Sequence, residues 1–261
     1  MWIPQPGKQS IALSADWVDE LFYGGERGGG KSDFQLGYQE DGALTYGNAH
    51  RGIMFRKTYT ELEELQERAM QVFPLEGAVY KVQPSAGFSF SNCWYWPNGA
   101  TVKMRYIERE ADYGRYHGHS YTAISFDEVT EYSTPAPLLK MLSTLRSPNG
   151  VHCTVRMTGN PGGVGHGWVK ERYITPSQEL VAFDDPDSGF SRMFVSSKTT
   201  DNQILLQNDP NYRERIKAAT GGNEALRKAW LEGDWDIVAG AFFDCWDRRR
   251  HVIRPFSIPD S

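Results

Sequence analysis

The segment Gly25-Glu26-Arg27-Gly28-Gly29-Gly30-Lys31-Ser32 constrains this chain more than any other. It fits the pattern G-x-x-x-x-G-K-S/T, in which a glycine-rich turn joins a strand to a helix. The glycines let successive backbone N–H groups turn inward towards phosphate oxygens, and the following helix aims the positive end of its dipole at the same place. Leu21-Phe22-Tyr23 supplies the short apolar strand that the motif requires. In this setting Lys31 reaches the terminal phosphates of a nucleotide and the Ser32 hydroxyl ligates Mg2+.

The rest of the chain alternates short apolar runs with longer helical patterns, which predicts an α/β fold: a mainly parallel sheet flanked by helices. Ile53-Met54-Phe55, Tyr121 to Phe126 and Val151 to Met157 read as strands. Phe88 to Trp96 and Thr101 to Ile107, separated by Pro97-Asn98-Gly99, read as a hairpin. Leu62, Leu65, Ala69, Val72 and Phe73 recur at helical spacing, and Ser133-Thr134-Pro135 opens a helix running to about Leu145. The texture changes near Phe190. Asn211 to Thr220 and Asn223 to Glu232 read as two short helices around Gly221-Gly222, and Gly240 to Ser261 reads as a linker.

A second chemical signal lies at Phe126-Asp127-Glu128, where an apolar strand ends in two adjacent carboxylates. Parallel sheets bind ligands at the carboxyl ends of their strands. Beside a phosphate loop, Asp127 is placed to hold Mg2+ and Glu128 to polarise an attacking water. Thr158-Gly159-Asn160-Pro161 is another strand end, with Asn160 able to sense a terminal phosphate. Arg27 inside the loop and Arg115, in a glycine-rich polar stretch, can each lend charge to a phosphoryl transition state. Gln9 precedes the loop strand, and its amide matches the edge of an adenine. His117 and His119 have no cysteine partner nearby and read as structural rather than zinc ligands.

Composition excludes several classes. With 28 basic and 33 acidic residues the formal net charge is −5, so the chain cannot hold nucleic acid by bulk positive charge, although a local basic groove remains compatible. No apolar run approaches the roughly 20 residues of a membrane span, and Met1 to Pro6 lacks the features of a signal peptide. The cysteines Cys93, Cys153 and Cys245 are widely spaced and read as free thiols of a reducing compartment.

Taken in order, Pro6-Gly7-Lys8-Gln9, Tyr23 to Ser32, Trp96-Pro97-Asn98-Gly99-Ala100, Phe126-Asp127-Glu128, Thr158-Gly159-Asn160-Pro161 and Glu232-Gly233-Asp234-Trp235 resemble the ATPase domain of the large terminase subunit of tailed bacteriophages. The resemblance implies a P-loop NTPase of RecA/ASCE-like type with a small C-terminal lid. It divides the chain into a core over 1–190, a lid over 191–238 and a linker over 239–261 towards an absent nuclease domain. It also implies ATP with Mg2+, double-stranded DNA as the translocated substrate, and a portal protein and small terminase subunit as partners. A homo-oligomeric ring on the procapsid, monomeric in isolation, and the cytoplasm of an infected bacterium complete the expectation. By position, Gln9 resembles the adenine reader, Gly25 to Ser32 the phosphate cradle, Asp127 and Glu128 the acidic pair, and Asn160 the coupling residue. Arg115 resembles an arginine that some members insert into a neighbouring subunit's site. Asp244 and Asp247 are too few for a two-metal nuclease centre, so no nuclease activity is expected from this chain. A helicase- or recombinase-like ATPase, and a nucleotide-binding assembly module without turnover, are the competing readings.

Overall fold

A computed structural model describes residues 2–237. The expected linker, with Asp244, Cys245 and Asp247, lies outside the described residues. In chain order the strands are β1 (Glu20–Gly25), β2 (Arg51–Arg56), β3 (Val79–Lys81), β4 (Cys93–Tyr95), β5 (Thr101–Tyr106), β6 (Ala123–Phe126), β7 (Thr154–Gly159), β8 (Phe183–Asp184) and β9 (Ser191–Ser197). The helices are α1 (Lys8–Ser14), α2 (Lys31–Tyr46), α3 (Tyr59–Val72), α4 (Ala136–Leu142), α5 (His166–Val169), α6 (Gln203–Asn208), α7 (Tyr212–Ala219) and α8 (Glu224–Arg227).

The strands form one sheet ordered β3-β4-β5-β2-β6-β7-β1-β9-β8. The pairings from β5 through to β9 are parallel, and antiparallel pairs occur only at the edges, β3-β4-β5 and β8-β9. Every residue of β1 and β7 is buried, as a strand covered on both faces requires. Alternation sorts the side chains. Phe22, Ile53, Phe55 and Phe126 pack on the face that carries α4 and α5. Met54, Val102 and Met104 pack with Leu62 and Leu65 of α3 on the other, and Leu21 and Tyr23 join Phe34 of α2 and Ala12 of α1 there. Arg156 of β7 is fully buried, and its guanidinium donates to the carbonyls of Ala15 (3.0 Å) and Val18 (2.9 Å), which solvate the charge just beyond α1.

Local chemistry sets the element ends. Thr58 caps α3 by accepting from the Glu61 N–H, while the Glu61 carboxylate accepts from the Thr58 N–H at 3.0 Å, a reciprocal box. The helix expected to reach Leu145 stops at Leu142. There the Ser143 and Thr144 hydroxyls donate back to the carbonyls of Lys140 and Met141 and compete with the helical pattern. The strand expected from Val151 begins at Thr154, because Val151 is tied to Ser147 and His152 to Asp16 and Asp19. The first arm of the hairpin shortens to Cys93–Tyr95, since Ser85 and Phe88 close a turn of their own.

One boundary moves further. Residues 191–197, expected at the start of a lid, are a strand of the sheet, in register with β1 from Glu20 opposite Arg192 to Gly25 opposite Ser197. They give β1 a parallel partner on its second edge. The strand that ends in Asp127-Glu128 is not adjacent to the loop strand. β7 stands between them, so Asn160 follows a strand that runs between the loop and the acidic pair.

Candidate active site

At the carboxyl end of the sheet residues 27–32 of the loop, Glu128, Asn160 and residues of the C-terminal helices enclose a cavity of about 720 Å³. The loop conformation is specific to glycine. Gly30 adopts φ 75° at the start of α2, and a Cβ on Gly29 would meet the Ser197 hydroxyl at 1.9 Å. Tyr23 donates to the Gly29 carbonyl at 3.0 Å and Asn202 to that of Gly28 at 2.9 Å, turning the carbonyls outward.

Each residue expected at the site has a definite place. Lys31 is buried, and its Nζ donates to the Glu26 carbonyl at 2.6 Å. Burial pushes its pKa down, and the Glu128 and Asp127 carboxylates oppose that shift. Glu128 sits in left-handed backbone conformation, φ 54° and ψ 48°, a strained geometry for a residue with a side chain. Asn160 donates to both its carboxylate oxygens, at 3.2 and 3.0 Å. Burial raises the Glu128 pKa; Lys31 pulls it down and Asp127 adds to the rise. Arg27 lines the cavity with its guanidinium 3.8 Å above the Trp230 ring, and its N–H donates to the Trp230 carbonyl at 3.0 Å.

Three of the expected residues stand behind the cavity wall. Glu26 is buried and accepts from the Thr199 N–H (2.9 Å), the Thr199 hydroxyl and Arg213 (both 2.8 Å), tying the loop to the segment after β9. Gly25 closes β1. Gln9 donates to the Gly30 carbonyl at 2.9 Å and accepts from the Gln5 N–H, so its amide is engaged on the chain rather than presented to the cavity. Arg115 is not brought to the site. It ends the turn Glu110–Arg115, pairs with Asp112 at 3.2 Å, and its side chain is 60% exposed beside a different cavity.

The residue that the sequence reading missed is Arg56, at the carboxyl end of β2. Its Nη2 stands 2.6 Å from Asp127 Oδ2 and donates to Ser32 Oγ at 3.3 Å. Burial works against its charge, but Asp127 and Glu128 outweigh that and raise its pKa. Asp127 also accepts from the Thr158 hydroxyl through Oδ1, while its Oδ2 is held by the Arg56 guanidinium. A carboxylate and a serine hydroxyl that converge on one guanidinium are a hard-oxygen donor pair that fits Mg2+, which takes one or two protein ligands and completes its shell with water and phosphate oxygens. Among the described residues no group of three or more His, Cys, Asp or Glu side chains is arranged to hold a metal by itself. His117 and His119 belong to no such group.

Comparison with known proteins follows from this geometry. Residues 38–249 match the family model described as terminase large subunit, T4likevirus-type, N-terminal, a stretch that starts after Ser32 and includes Asp127, Glu128 and Asn160. Among solved structures, the large terminase of a thermophilic bacteriophage in complex with ATP-gamma-S superposes with a TM-score of 0.66 at 18% identity, covering 98% of this chain and 59% of that one. The chain therefore spans about three fifths of that terminase's length. The large terminase ATPase domain of Thermus phage P74-26 matches with a TM-score of 0.52 at 11% identity, over 90% of this chain and all of that one. The N-terminal domain of the DNA packaging ATPase from bacteriophage phi29 matches with a TM-score of 0.52 at 18% identity, over 76% of this chain and 98% of that one. At these identities the likeness establishes the fold. A search of curated protein sequences finds no match.

Proposed function

The chain belongs to the terminase large-subunit family, and we propose that it is the ATP-hydrolysing motor domain that drives double-stranded viral DNA into a procapsid. The observation that carries this reading is the convergence of the Gly28–Ser32 backbone, Lys31, Glu128 and Asn160 on one cavity, with Arg56 at its wall joining Ser32 to the buried Asp127. Family membership favours packaging over a helicase- or recombinase-like role.

The chain's own residues divide the work. The loop N–H groups and Lys31 bind the phosphates. Glu128 accepts a proton from the attacking water, and Asn160, which holds its carboxylate in the free chain, releases it when a terminal phosphate takes the amide. Ser32 and Asp127 would hold Mg2+, which would supply charge neutralisation for the phosphates. Arg56 contacts both of those side chains in the free chain and neutralises the Asp127 carboxylate there. Gln9 fixes the loop through Gly30, and it reads the base only if those bonds are exchanged. We assign residues 2–197 to the ATPase core and 198–237 to the lid, coupled to the loop through Glu26–Arg213 and Arg27–Trp230. A ring of subunits in the host cytoplasm, docked on a portal and supplied by a small terminase subunit, is the setting for that movement. Among the described residues no helix is long and apolar enough to cross a membrane.

ATP hydrolysis measured with and without duplex DNA tests the reading. Stimulation by duplex that grows with its length supports a translocase. Turnover indifferent to DNA, in the assembled ring as well as in the isolated chain, refutes it.

Two further results are expected. Arg56→Ala strands the buried Asp127 carboxylate, so the nucleotide-free chain loses about 3 kcal/mol of stability in denaturant. The deficit shrinks when Mg2+ and nucleotide are present, and unchanged stability of the free chain would contradict the assigned pairing. Arg115→Ala leaves nucleotide affinity of the Gly25–Ser32 loop in the isolated chain nearly unchanged but cripples hydrolysis in the ring. Mixing inactive Arg115→Ala subunits with inactive Glu128→Gln subunits then restores part of the ATPase activity. No recovery despite co-assembly would place Arg115 in its own subunit's service and leave Arg27 as the stabilising arginine.

A further inference from the structure

A second cavity, of about 430 Å³, opens on the sheet face opposite α2. Strand alternation builds its wall. Val102 and Met104 of β5 enter the core beneath α3, so Lys103 and Arg105 turn to the other face. Residues 84–91 form one rim, and the end of the turn Glu110–Arg115 with Tyr116 and His119 forms the other.

The charge of this cavity is one-sided. Lys103, Arg105, Arg115 and His119 line it, and among the described residues no carboxylate does. Lys103 is only 5% exposed. Its ammonium lies 3.8 Å from the centre of the Phe90 ring and 5.5 Å from that of Tyr121, and among the described residues it has no ion pair. Burial, and then the neighbouring Arg105, push its pKa down to about 8. Arg105 donates to the carbonyls of Ser91 (2.6 Å), Asn92 and Met104 (both 2.8 Å), which fix the guanidinium without neutralising it. The His119 ring stacks on Tyr121 with centroids 6.1 Å apart.

Packing cations together out of water is unfavourable unless something offsets it. Ring faces return only part of that cost to a partly desolvated ammonium. Ordinary folding would relieve Lys103 with a carboxylate or replace it by an apolar residue. Instead the sheet fixes two cations at the wall of a solvent-open cavity, and the loops add at its rim Arg115, which Asp112 pairs from outside the lining, and the His119 imidazole, whose pKa burial and the neighbouring cations push down. Several convergent cations suit an anion of more than one charge better than a single carboxylate.

We propose that this cavity is a second phosphate-binding site, distinct from the Gly25–Ser32 loop, in which Lys103 and Arg105 hold the phosphate oxygens and Arg115 and His119 close the rim. The ligand is a phosphate monoester or diester, from a free nucleotide or from a polynucleotide backbone. The inference goes beyond the motor reading, and its test reads Lys103 rather than turnover.

Amine footprinting of the full chain with acetic anhydride, read by mass spectrometry, makes the test local. Sodium pyrophosphate, ATP or a single-stranded 12-mer, each at about ten times its Kd, slows acetylation of Lys103 roughly ten-fold. Protection by pyrophosphate and ATP marks a free phosphate as the ligand, and protection by the 12-mer alone marks a phosphodiester. The protection persists in a Lys31→Ala background, which separates this cavity from the loop. Lys103→Met, verified as folded by its unfolding temperature, binds one fewer equivalent of whichever of the three ligands protects Lys103 than the parent chain does in calorimetry. Unchanged acetylation with all three ligands, protection lost with Lys31, or unchanged stoichiometry in folded Lys103→Met overturns the proposal.

Discussion

Glu128→Gln leaves ATP bound and lowers hydrolysis by about 10²-fold or more. The substitution keeps the shape of the side chain and removes only its capacity to take a proton. Glu128 is well placed for that task. Its left-handed backbone projects the carboxylate into the cavity, and the two bonds from Asn160 hold it there. Burial lifts its pKa above the ordinary carboxylate range, Lys31 opposes the lift and Asp127 adds to it. A base must be ionised to act, so activity is present above the raised pKa and falls as pH drops through it. The acid limb of the kcat/KM profile therefore lies above the value of a free glutamate, and it disappears from the residual activity of Glu128→Gln. Nucleotide binding by a fluorescent analogue, with single-turnover hydrolysis over pH, separates the outcomes. If binding is lost and hydrolysis falls only in proportion, Glu128 is a metal ligand or a structural residue.

The parts of this site that were legible in the sequence are the ones made locally. Gly25 to Ser32 announces itself because a phosphate cradle is built from consecutive backbone amides, and Asp127-Glu128 because a strand end delivers adjacent residues to one place. The α3 helix was legible for the same reason: its cap, Thr58 with Glu61, and its apolar stripe lie within a few turns of one another. What escaped is non-local. Arg56 looks like an ordinary charge beyond an apolar strand until β2 is set beside β6, which brings it to Asp127 across 71 residues of chain. Glu26 was read as part of the phosphate cradle, but its carboxylate reaches residues 199 and 213 instead. Trp230 becomes a partner of Arg27 only when the last helices fold back over the loop. The boundary near 190 was placed by a change of texture, and texture does not reveal that Ser191–Ser197, despite its polar ends, completes the sheet beside β1. Gln9 shows a subtler limit: the sequence offers an amide that matches an adenine edge, whereas in the fold that amide is engaged with Gly30 and Gln5.

Lys31→Ala lowers hydrolysis on the order of 10³-fold while the domain stays folded. The side chain is buried, but its surroundings are loop backbone and carboxylates rather than the apolar core, so truncation opens little packing. Two losses combine at the site. The first is the positive charge that faces the terminal phosphates. The second follows from the neighbours. Lys31 is the strongest opponent of the burial that raises the Glu128 pKa, so removing it raises that pKa further and leaves less of the base ionised at neutral pH. The two residues therefore act as a unit, and their effects do not add. A Lys31→Ala, Glu128→Gln double variant is expected to be scarcely slower than the slower single variant, whereas independent contributions would multiply to about 10⁵-fold or more. Circular dichroism and the unfolding midpoint establish that each variant is folded, and steady-state hydrolysis completes the cycle. Turnover at the parent rate in folded Lys31→Ala would remove the phosphate-loop assignment. Full multiplicativity would leave that assignment standing but separate Lys31 from Glu128, placing the lysine's action on the phosphates alone.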